Sequence, residues 1–249
     1  MRYPGLPDLD TIVIGTKGIG DGCYELEFAM PPAKSLTKAS LKTPKAAAIA
    51  GIVFSVLLLV FFWLIRSAVP ADPLGSGAWL ATSGRRVAFG LNLVPVAGIA
   101  FLWFIGVIRD RLGQLEDQFF ATVFFGSGLL FLAMLFIAAA AIGAIVLLAS
   151  SEANELMNSA TFHFARAFAY LVMNVYAIKA AAVFMISTST VALYTSFLSR
   201  WLAYLGYILA CSLLFGSYYI GWSFMVLPVW VLMISSYIIV DNSRRPSTV

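Results

Sequence analysis

Charge is scarce in this sequence. Only 11% of its 249 residues are Asp, Glu, Lys or Arg, and 61% are hydrophobic, whereas about a quarter of the residues of a soluble domain are charged. The charges lie mainly in the first 46 positions, in short connectors and in the last nine positions. The uncharged stretches between them reach the roughly 18 apolar residues that are typical of membrane-spanning helices. The composition therefore predicts an integral membrane protein.

Metal ligands and catalytic groups are also few. The chain has one histidine, His163, and two cysteines, Cys23 before the first apolar run and Cys211 within the fifth. A single histidine excludes a multi-histidine metal site, and the placement of the cysteines does not favour a disulfide. No Asp or Glu lies inside an apolar run. The zinc-protease, serine-hydrolase and paired-aspartate motifs are missing, so we expect no metal, no cofactor and no enzymatic activity.

Six apolar runs predict six spans. Because lipid offers no hydrogen-bond partners, the backbone of each run must satisfy itself as a helix. The fold class is therefore an all-α membrane protein, a bundle of about six transmembrane helices at 47–240, with an N-terminal segment 1–46 and a tail 241–249. The predicted spans are 47–68, 87–108, 119–149, 161–186, 201–217 and 222–240. The stretch STSTVALYTSFLSR that follows the fourth span is too polar for lipid, and we expect it along the inner interface.

The basic residues indicate the topology. They are scattered over the connectors, so the net charge of +4 does not predict a nucleic-acid partner. Positively charged flanks are retained in the cytoplasm. With the lysines before the first span inside, ten basic residues fall inside and four outside, which predicts both termini in the cytoplasm and a multi-pass protein of the cell membrane. The inside residues are Lys34, Lys38, Lys42, Lys45, Arg109, Arg111, Lys179, Arg200, Arg244 and Arg245; the outside residues are Arg66, Arg85, Arg86 and Arg166.

Residues 1–46 differ from the rest. TIVIG and CYELEFAM alternate apolar and polar residues around a glycine-rich stretch, which suits a small hairpin. The glycines do not form a phosphate loop, since the lysine-hydroxyl pair and a following helix are missing. Met30 opens the basic stretch that leads into the first span, so a mis-assigned start codon is an alternative interpretation of 1–29. The segment is too short for a catalytic domain.

The fourth span carries a polar stripe. At about 100° per residue, His163, Arg166, Tyr170 and Asn174 fall within an arc of about 80°. Ionisable groups at membrane depth cost at least ~2.5 kcal/mol each, so we expect the stripe to face the bundle interior or a wet cavity. Lys179 falls on the other side of the helix, and we expect it near the cytoplasmic end with its amine reaching the headgroups.

Asn92 on the second span is the expected partner of this stripe, because it precedes Pro95, where a kink frees a backbone carbonyl. The candidate intramembrane polar site comprises Asn92, His163, Arg166, Tyr170 and Asn174. A simpler interpretation stays open. His163 and Arg166 can reach the outer headgroups and bind lipid phosphate, while Tyr170 packs as a buried aromatic and Asn174 hydrogen-bonds between helices.

The stretches 98–136 (GIAFLWFIGVIRDRLGQLEDQFFATVFFGSGLLFLAMLF) and 174–207 (NVYAIKAAAVFMISTSTVALYTSFLSRWLAYLGY) resemble a family of uncharacterised multi-pass membrane proteins of actinobacteria and related bacteria. The resemblance covers about residues 47–240. It implies a six-helix bacterial inner-membrane protein and no catalytic residues. The connector from Arg109 to Asp117 in this region is either salt-bridged within the chain or a docking surface for a cytoplasmic protein.

Three functions remain open. The favoured one is a non-enzymatic accessory, sensory or assembly component of the membrane, with membrane lipids as partners. The second is a small-solute or lipid transporter whose cavity the candidate polar site lines. An intramembrane enzyme is the least favoured, because the catalytic patterns are missing.

Overall fold

The computed structural model describes residues 43–70, 72, 75, 77–112, 118–156, 159–195, 199–216 and 222–244. The predicted hairpin therefore lies outside the described residues. Every regular element in the described part is helical: α1 (Thr43–Ala68), α2 (Trp79–Leu112), α3 (Gln118–Leu156), α4 (Ala160–Leu171), a π-helical segment (Val172–Ala177), α5 (Ile178–Thr195), α6 (Arg200–Gly216), a 3-10 turn (Ser223–Met225) and α7 (Val226–Arg244).

Five of these helical stretches are long and apolar enough to cross a membrane. The longest of them joins α4, the π segment and α5 into one continuous span; the five stretches are Ala46–Ala68, Trp79–Arg109, Ala121–Ala149, Ala160–Tyr194 and Ser223–Asp241. The predicted fifth span corresponds to α6, a shorter apolar helix. The described part of the chain is thus all-helical, with five helices that could cross a membrane.

One end of the bundle collects the end of α1, the start of α2, the end of α3 and the start of α4; we call it the Arg166 end. A buried cluster there joins all four helices, with Ala68 of α1, Trp79, Leu80 and Val87 of α2, Ile145 of α3 and Phe162 of α4. The guanidinium of Arg66 lies 5.9 Å from the ring centroid of Trp222, just before α7. The α1–α2, α3–α4 and α6–α7 connections therefore lie at this end.

The opposite end, which we call the Thr190 end, collects the other helix termini. Arg109 of α2 lies over the ring of Phe125 of α3, 4.5 Å from its centroid. Thr190 of α5 shares a 2.6 Å hydrogen bond with the hydroxyl of Tyr207 of α6. Successive passes therefore run in opposite directions, as short connections between neighbouring helices require.

Aromatic rings link four helices in the core between the two ends. The ring of Phe101 lies 4.5 Å from that of Phe54, 5.7 Å from that of Phe131 and 5.2 Å from that of Phe184, centroid to centroid. All four residues are almost fully buried. Because these rings belong to α1, α2, α3 and α5, they fix the relative height of those helices.

Gly51 and Gly206 are among the glycines that let helices approach closely. A side-chain carbon on Gly51 of α1 would meet the hydroxyl of Ser235 and, at 2.8 Å, the ring of Phe104. A carbon on Gly206 of α6 would meet the hydroxyl of Ser189 and, at 2.9 Å, the ring of Trp230. Close contact at small residues is how membrane helices gain van der Waals packing, since lipid provides no hydrophobic drive between them.

The expectation that 187–200 lies along the inner interface was wrong for its described helical part. Residues up to Thr195 continue α5, and Ser187, Thr188 and Ser189 are buried. The hydroxyl of Ser187 donates to the carbonyl of Val183 at 2.9 Å, and Thr188 donates to Phe184 at 2.7 Å. Bonds of this kind to the preceding turn satisfy hydroxyls within the helix, so Ser187 and Thr188 do not need water.

Two other helices extend beyond their predicted edges at the Arg166 end. α2 begins at Trp79 rather than at 87, so Arg85 and Arg86 are exposed residues of a helix, not of a connector. α3 continues to Leu156, seven residues past its predicted edge at 149. At about 1.5 Å per residue, its 39 residues measure about 58 Å, which exceeds a hydrocarbon core of about 30 Å.

Candidate functional site

Arg166 is the most buried member of the predicted polar site, with 3% of its surface exposed. Its guanidinium donates three hydrogen bonds to backbone carbonyls of the α1–α2 connector. Nη1 donates to Gly75 O at 2.7 Å, and Nη2 donates to Pro70 O at 3.0 Å and to Asp72 O at 2.6 Å. Hydrogen bonds from a charged donor are about twice as strong as neutral ones. Arg166 therefore fastens the connector to α4.

The start of α4 directs Arg166 toward the connector. The Ser159 hydroxyl caps the helix by accepting from the backbone N–H of Phe162 at 3.1 Å, and Ser is a favoured residue there. Phe162 and Arg166 follow at i and i+4 on one face, and both are buried. Phe162 packs in the cluster with Trp79 and Ile145. This packing sets the rotation of α4 that brings the guanidinium under the connector.

The connector supplies acceptors and a charge. Carbonyls between helices lack the partners that a helix provides, so they are open to an external donor. The carboxylate of Asp72 adds a favourable electrostatic interaction with Arg166. A side-chain carbon placed on Gly75 would lie 3.7 Å from both Arg166 Nη1 and Asp72 Oδ2, so these two groups flank the same point of the connector. The result is a polar cluster at the Arg166 end of the bundle.

The other members of the predicted site lie in different surroundings. His163 is half-buried, and its ring stands nearly edge-on to that of Phe162 at 5.3 Å. Tyr170 is exposed. Asn174 is half-buried and donates to the carbonyl of Tyr170 at 3.0 Å. Asn92 is exposed on α2 and donates to Ala88 O at 2.9 Å. Both asparagine side chains thus bond to their own helices, one turn back.

The π-helical segment Val172–Ala177 explains part of this divergence. It interrupts the α-helical hydrogen bonding in the middle of the fourth span and contains Asn174. A π turn bonds i to i+5 and so takes about one more residue than an α turn. The helical positions assigned from the sequence at a constant 100° per residue are therefore not valid within this segment or after it, which affects Asn174 and Lys179. Single π turns within helices occur frequently at functional sites.

Lys179, which follows this segment, lies near the middle of its span. Nineteen residues separate it from Ala160 and fifteen from Tyr194, or about 28 Å and about 22 Å at ~1.5 Å per residue. The expectation that Lys179 lies near the cytoplasmic end was therefore wrong, because the helix continues to Thr195. Its side chain is exposed on the surface of the described chain.

The aromatic core gives an independent measure of this depth. Phe54 lies eight residues after Ala46 and fourteen before Ala68, so the ring level is about 12 Å and about 21 Å from the two ends of the first span. Phe184 of α5 belongs to the same level. Lys179 precedes Phe184 by five residues, or about 7.5 Å toward the Arg166 end. On the first span it therefore lies about 20 Å from the Thr190 end and about 14 Å from the Arg166 end. Counting along the longer fourth helix makes the Thr190 end the nearer one, but both measures place Lys179 in the middle third of the span.

At the Arg109–Asp117 connector the structure describes Arg109 but not residues 113–117. The guanidinium of Arg109 lies over Phe125, a cation–π contact. Whether this connector also binds another protein remains a prediction.

Across the described residues, no three side chains of His, Cys, Asp or Glu come together as a metal ion would require. Comparisons with protein-family models, with curated proteins and with solved structures give no match. The resemblance to actinobacterial membrane proteins therefore stays a prediction, and the function has to be argued from the site.

Proposed function

We propose that this chain is a six-span protein of the cell membrane, with both termini in the cytoplasm, and that it acts as a non-enzymatic accessory, sensory or assembly component. The observation that carries the role is the binding of Arg166 to three connector carbonyls at 2.6 to 3.0 Å. Arg166 is the charge best placed to bind a solute in a cavity of the fourth span. Its engagement with the backbone supports a role in holding the bundle together.

The surface of α6 supports a sixth span. Its buried residues recur at helical spacing and pack on α5, while the opposite face, with Tyr204, Ile208 and Phe215, is exposed and apolar. An interfacial helix would carry a charged outer face, and α6 has none beyond Arg200. Its 17 residues measure about 26 Å, close to the hydrocarbon thickness of about 30 Å.

The proposed orientation rests on the basic residues. Lys179 no longer counts as a flanking charge, because it lies mid-span, so the ten inside residues become nine. Nine against four still favours the Thr190 end in the cytoplasm.

Reporter fusions test span number and orientation together. A reporter that is active only in the cytoplasm is fused to the N-terminus in one protein and to the C-terminus in another. Six spans with both termini inside predict activity of both fusions. Activity of one fusion alone would indicate five crossings, and inactivity of both would invert the orientation.

A small-solute or lipid transporter is the second candidate, and the π segment favours it, since Asn174 lies in an irregular turn within the membrane span. Aqueous access separates the two functions. In a chain with Cys23 and Cys211 replaced by serine, Asn174→Cys is treated with a membrane-impermeant thiol reagent, and the exposed connector variant Ala78→Cys serves as the reactive control. The assembly role predicts that only the control reacts. Comparable labelling of Asn174→Cys would favour transport.

A further inference from the structure

We infer that the surface around Lys179 binds a transmembrane helix of another protein that carries an Asp or Glu at mid-membrane depth. The inference rests on the proposed assembly role and names the chemistry of the partner. Lys179 is exposed near the middle of its span, as both the length of the fourth span and the level of the aromatic core indicate. Charges at this depth are rare, costly and normally paired.

Among the described residues, no carboxylate brings the opposite charge to this depth. All twelve acidic residues lie in the N-terminal 27 positions, in connectors or at helix ends. The one acidic residue within the described spans is Asp241, the last residue of its span. It comes six residues after Ser235, which lies level with Gly51 near the Thr190 end. Asp241 is therefore about 9 Å farther from the bilayer centre than Ser235. The same described residues of a second copy likewise bring no carboxylate to this depth.

The residues around Lys179 suit a helical partner. Val183 lies four residues after Lys179, on one α-helical stripe with it. Tyr176 lies three residues before Lys179, where the π segment ends. Tyr176 is 59% exposed, and Val183 is also exposed. A phenolic hydroxyl can donate to the same carboxylate as the lysine amine, while Val183 offers an apolar contact beside it. We call these three residues, Tyr176, Lys179 and Val183, the Lys179 face.

Lipid phosphate is a poorer match for this charge. A lysine side chain extends about 6 Å, and Lys179 lies about 14 Å from the nearer end of the first span. The amine therefore falls about 8 Å short of the headgroups unless the bilayer thins or water enters. A carboxylate on a neighbouring helix meets it without either deformation.

The test uses synthetic transmembrane peptides of about 20 leucines with lysine flanks. One peptide has a central Asp, and the matched control has leucine at that position. The full-length protein carries a donor fluorophore at its C-terminus, the peptides carry an acceptor, and energy transfer is measured in phosphatidylcholine vesicles at low peptide density. We expect the Asp peptide to bind the wild type about tenfold more tightly than the leucine peptide, and Lys179→Leu to remove that difference.

A charge swap guards against an indirect effect of the substitution. Lys179→Glu should no longer bind the Asp peptide more tightly than the leucine peptide, and it should bind a peptide with a central Lys instead. Phe168→Leu, a change at an exposed residue of the same span, should bind the peptides as the wild type does. Equal binding of the Asp and leucine peptides to the wild type would overturn the inference. So would Asp-peptide binding that Lys179→Leu leaves intact. If the wild type instead shows a Tm that rises with phosphatidylglycerol and Lys179→Leu abolishes this rise, the charge is matched by lipid.

The outcome is separable from that of the proposed function. Water access at Asn174→Cys would overturn the assembly role whatever the peptides do. If the peptides show no preference for Asp and Asn174→Cys is not labelled, the docking site at the Lys179 face is overturned. The proposed accessory role is then unaffected.

Discussion

Two cations on the fourth span, Arg166 and Lys179, are thirteen residues apart and lie in opposite surroundings. Arg166 is buried at one end of the bundle, where three connector carbonyls accept its hydrogen bonds. Lys179 is exposed near mid-depth, and no described span places a carboxylate at its level. The comparison shows that burial and satisfaction go together here. Arg166, which binds the connector, is buried, whereas Lys179, which has no such role in the described chain, faces outward.

The same chemical change at the two positions should therefore have opposite effects on the isolated protein. Arg166→Leu removes three charge-assisted hydrogen bonds, and of the three carbonyls Asp72 O keeps a donor, the backbone N–H of Gly75 at 3.2 Å. We expect a loss of about 2–4 kcal/mol in the free energy of unfolding, measured as Tm in nanodiscs. Arg166→Lys should lose less, because it keeps the charge but not the planar fork. An unchanged Tm for Arg166→Leu would remove the connector contact as a stabilising element.

Lys179→Leu should stabilise the isolated protein. Leucine at mid-depth avoids the cost of an unpaired ammonium, which is at least ~2.5 kcal/mol on insertion scales and smaller when the side chain draws in water. We expect a gain of about 1–2 kcal/mol in nanodiscs of neutral lipid. A decrease in Tm would mean that Lys179 is already satisfied within the chain, which would contradict the contrast with Arg166.

Gly51→Ala tests the packing of α1 against α2 and α7. The added methyl meets the ring of Phe104 at 2.8 Å as well as the hydroxyl of Ser235, and overpacking of this kind costs about 1–3 kcal/mol. The double variant Gly51→Ala with Ser235→Gly should recover part of the loss. Full stability of Gly51→Ala alone would show that α1 and α7 adjust freely.

Gly106→Ala is the matched control and carries the smallest expected effect. Apart from its chain neighbours and the backbone of its own helix, no described atom lies within 4 Å of the new methyl. Alanine favours a helix over glycine by about 1 kcal/mol at most. We expect a Tm equal to or slightly above that of the wild type. A clear decrease would point to a contact on the exposed face of α2.

Much of the fold followed from the apolar runs. Long uncharged segments predict membrane helices because the backbone has no other partner in lipid, and five such helices are present. Helix ends were less predictable. The hydroxyls at 187–190 read as an interfacial stretch, but most of them bond to carbonyls one turn back, and sequence composition does not distinguish these two uses of serine and threonine.

The candidate site was predictable only in part. Arg166 stands out in any sequence of this kind, because a charge in an apolar run needs a partner. Its acceptors were not foreseeable, since they are backbone atoms of Pro70, Asp72 and Gly75, more than ninety residues earlier. The depth of Lys179 was missed because its span was expected to end at 186. Treating 187–195 as a continuation of the fourth helix would have placed Lys179 near the middle of its span.

The sequence alone determined that hydrocarbon is the solvent for most of this chain and that its few embedded charges need partners, because composition sets the transfer free energy of each segment. Only the tertiary structure decided which charge has its partner within the chain. That outcome depends on the helix that continues to Thr195, on the π turn that changes the helical phase, and on a connector folded over Arg166. All three arise from packing between segments far apart in sequence.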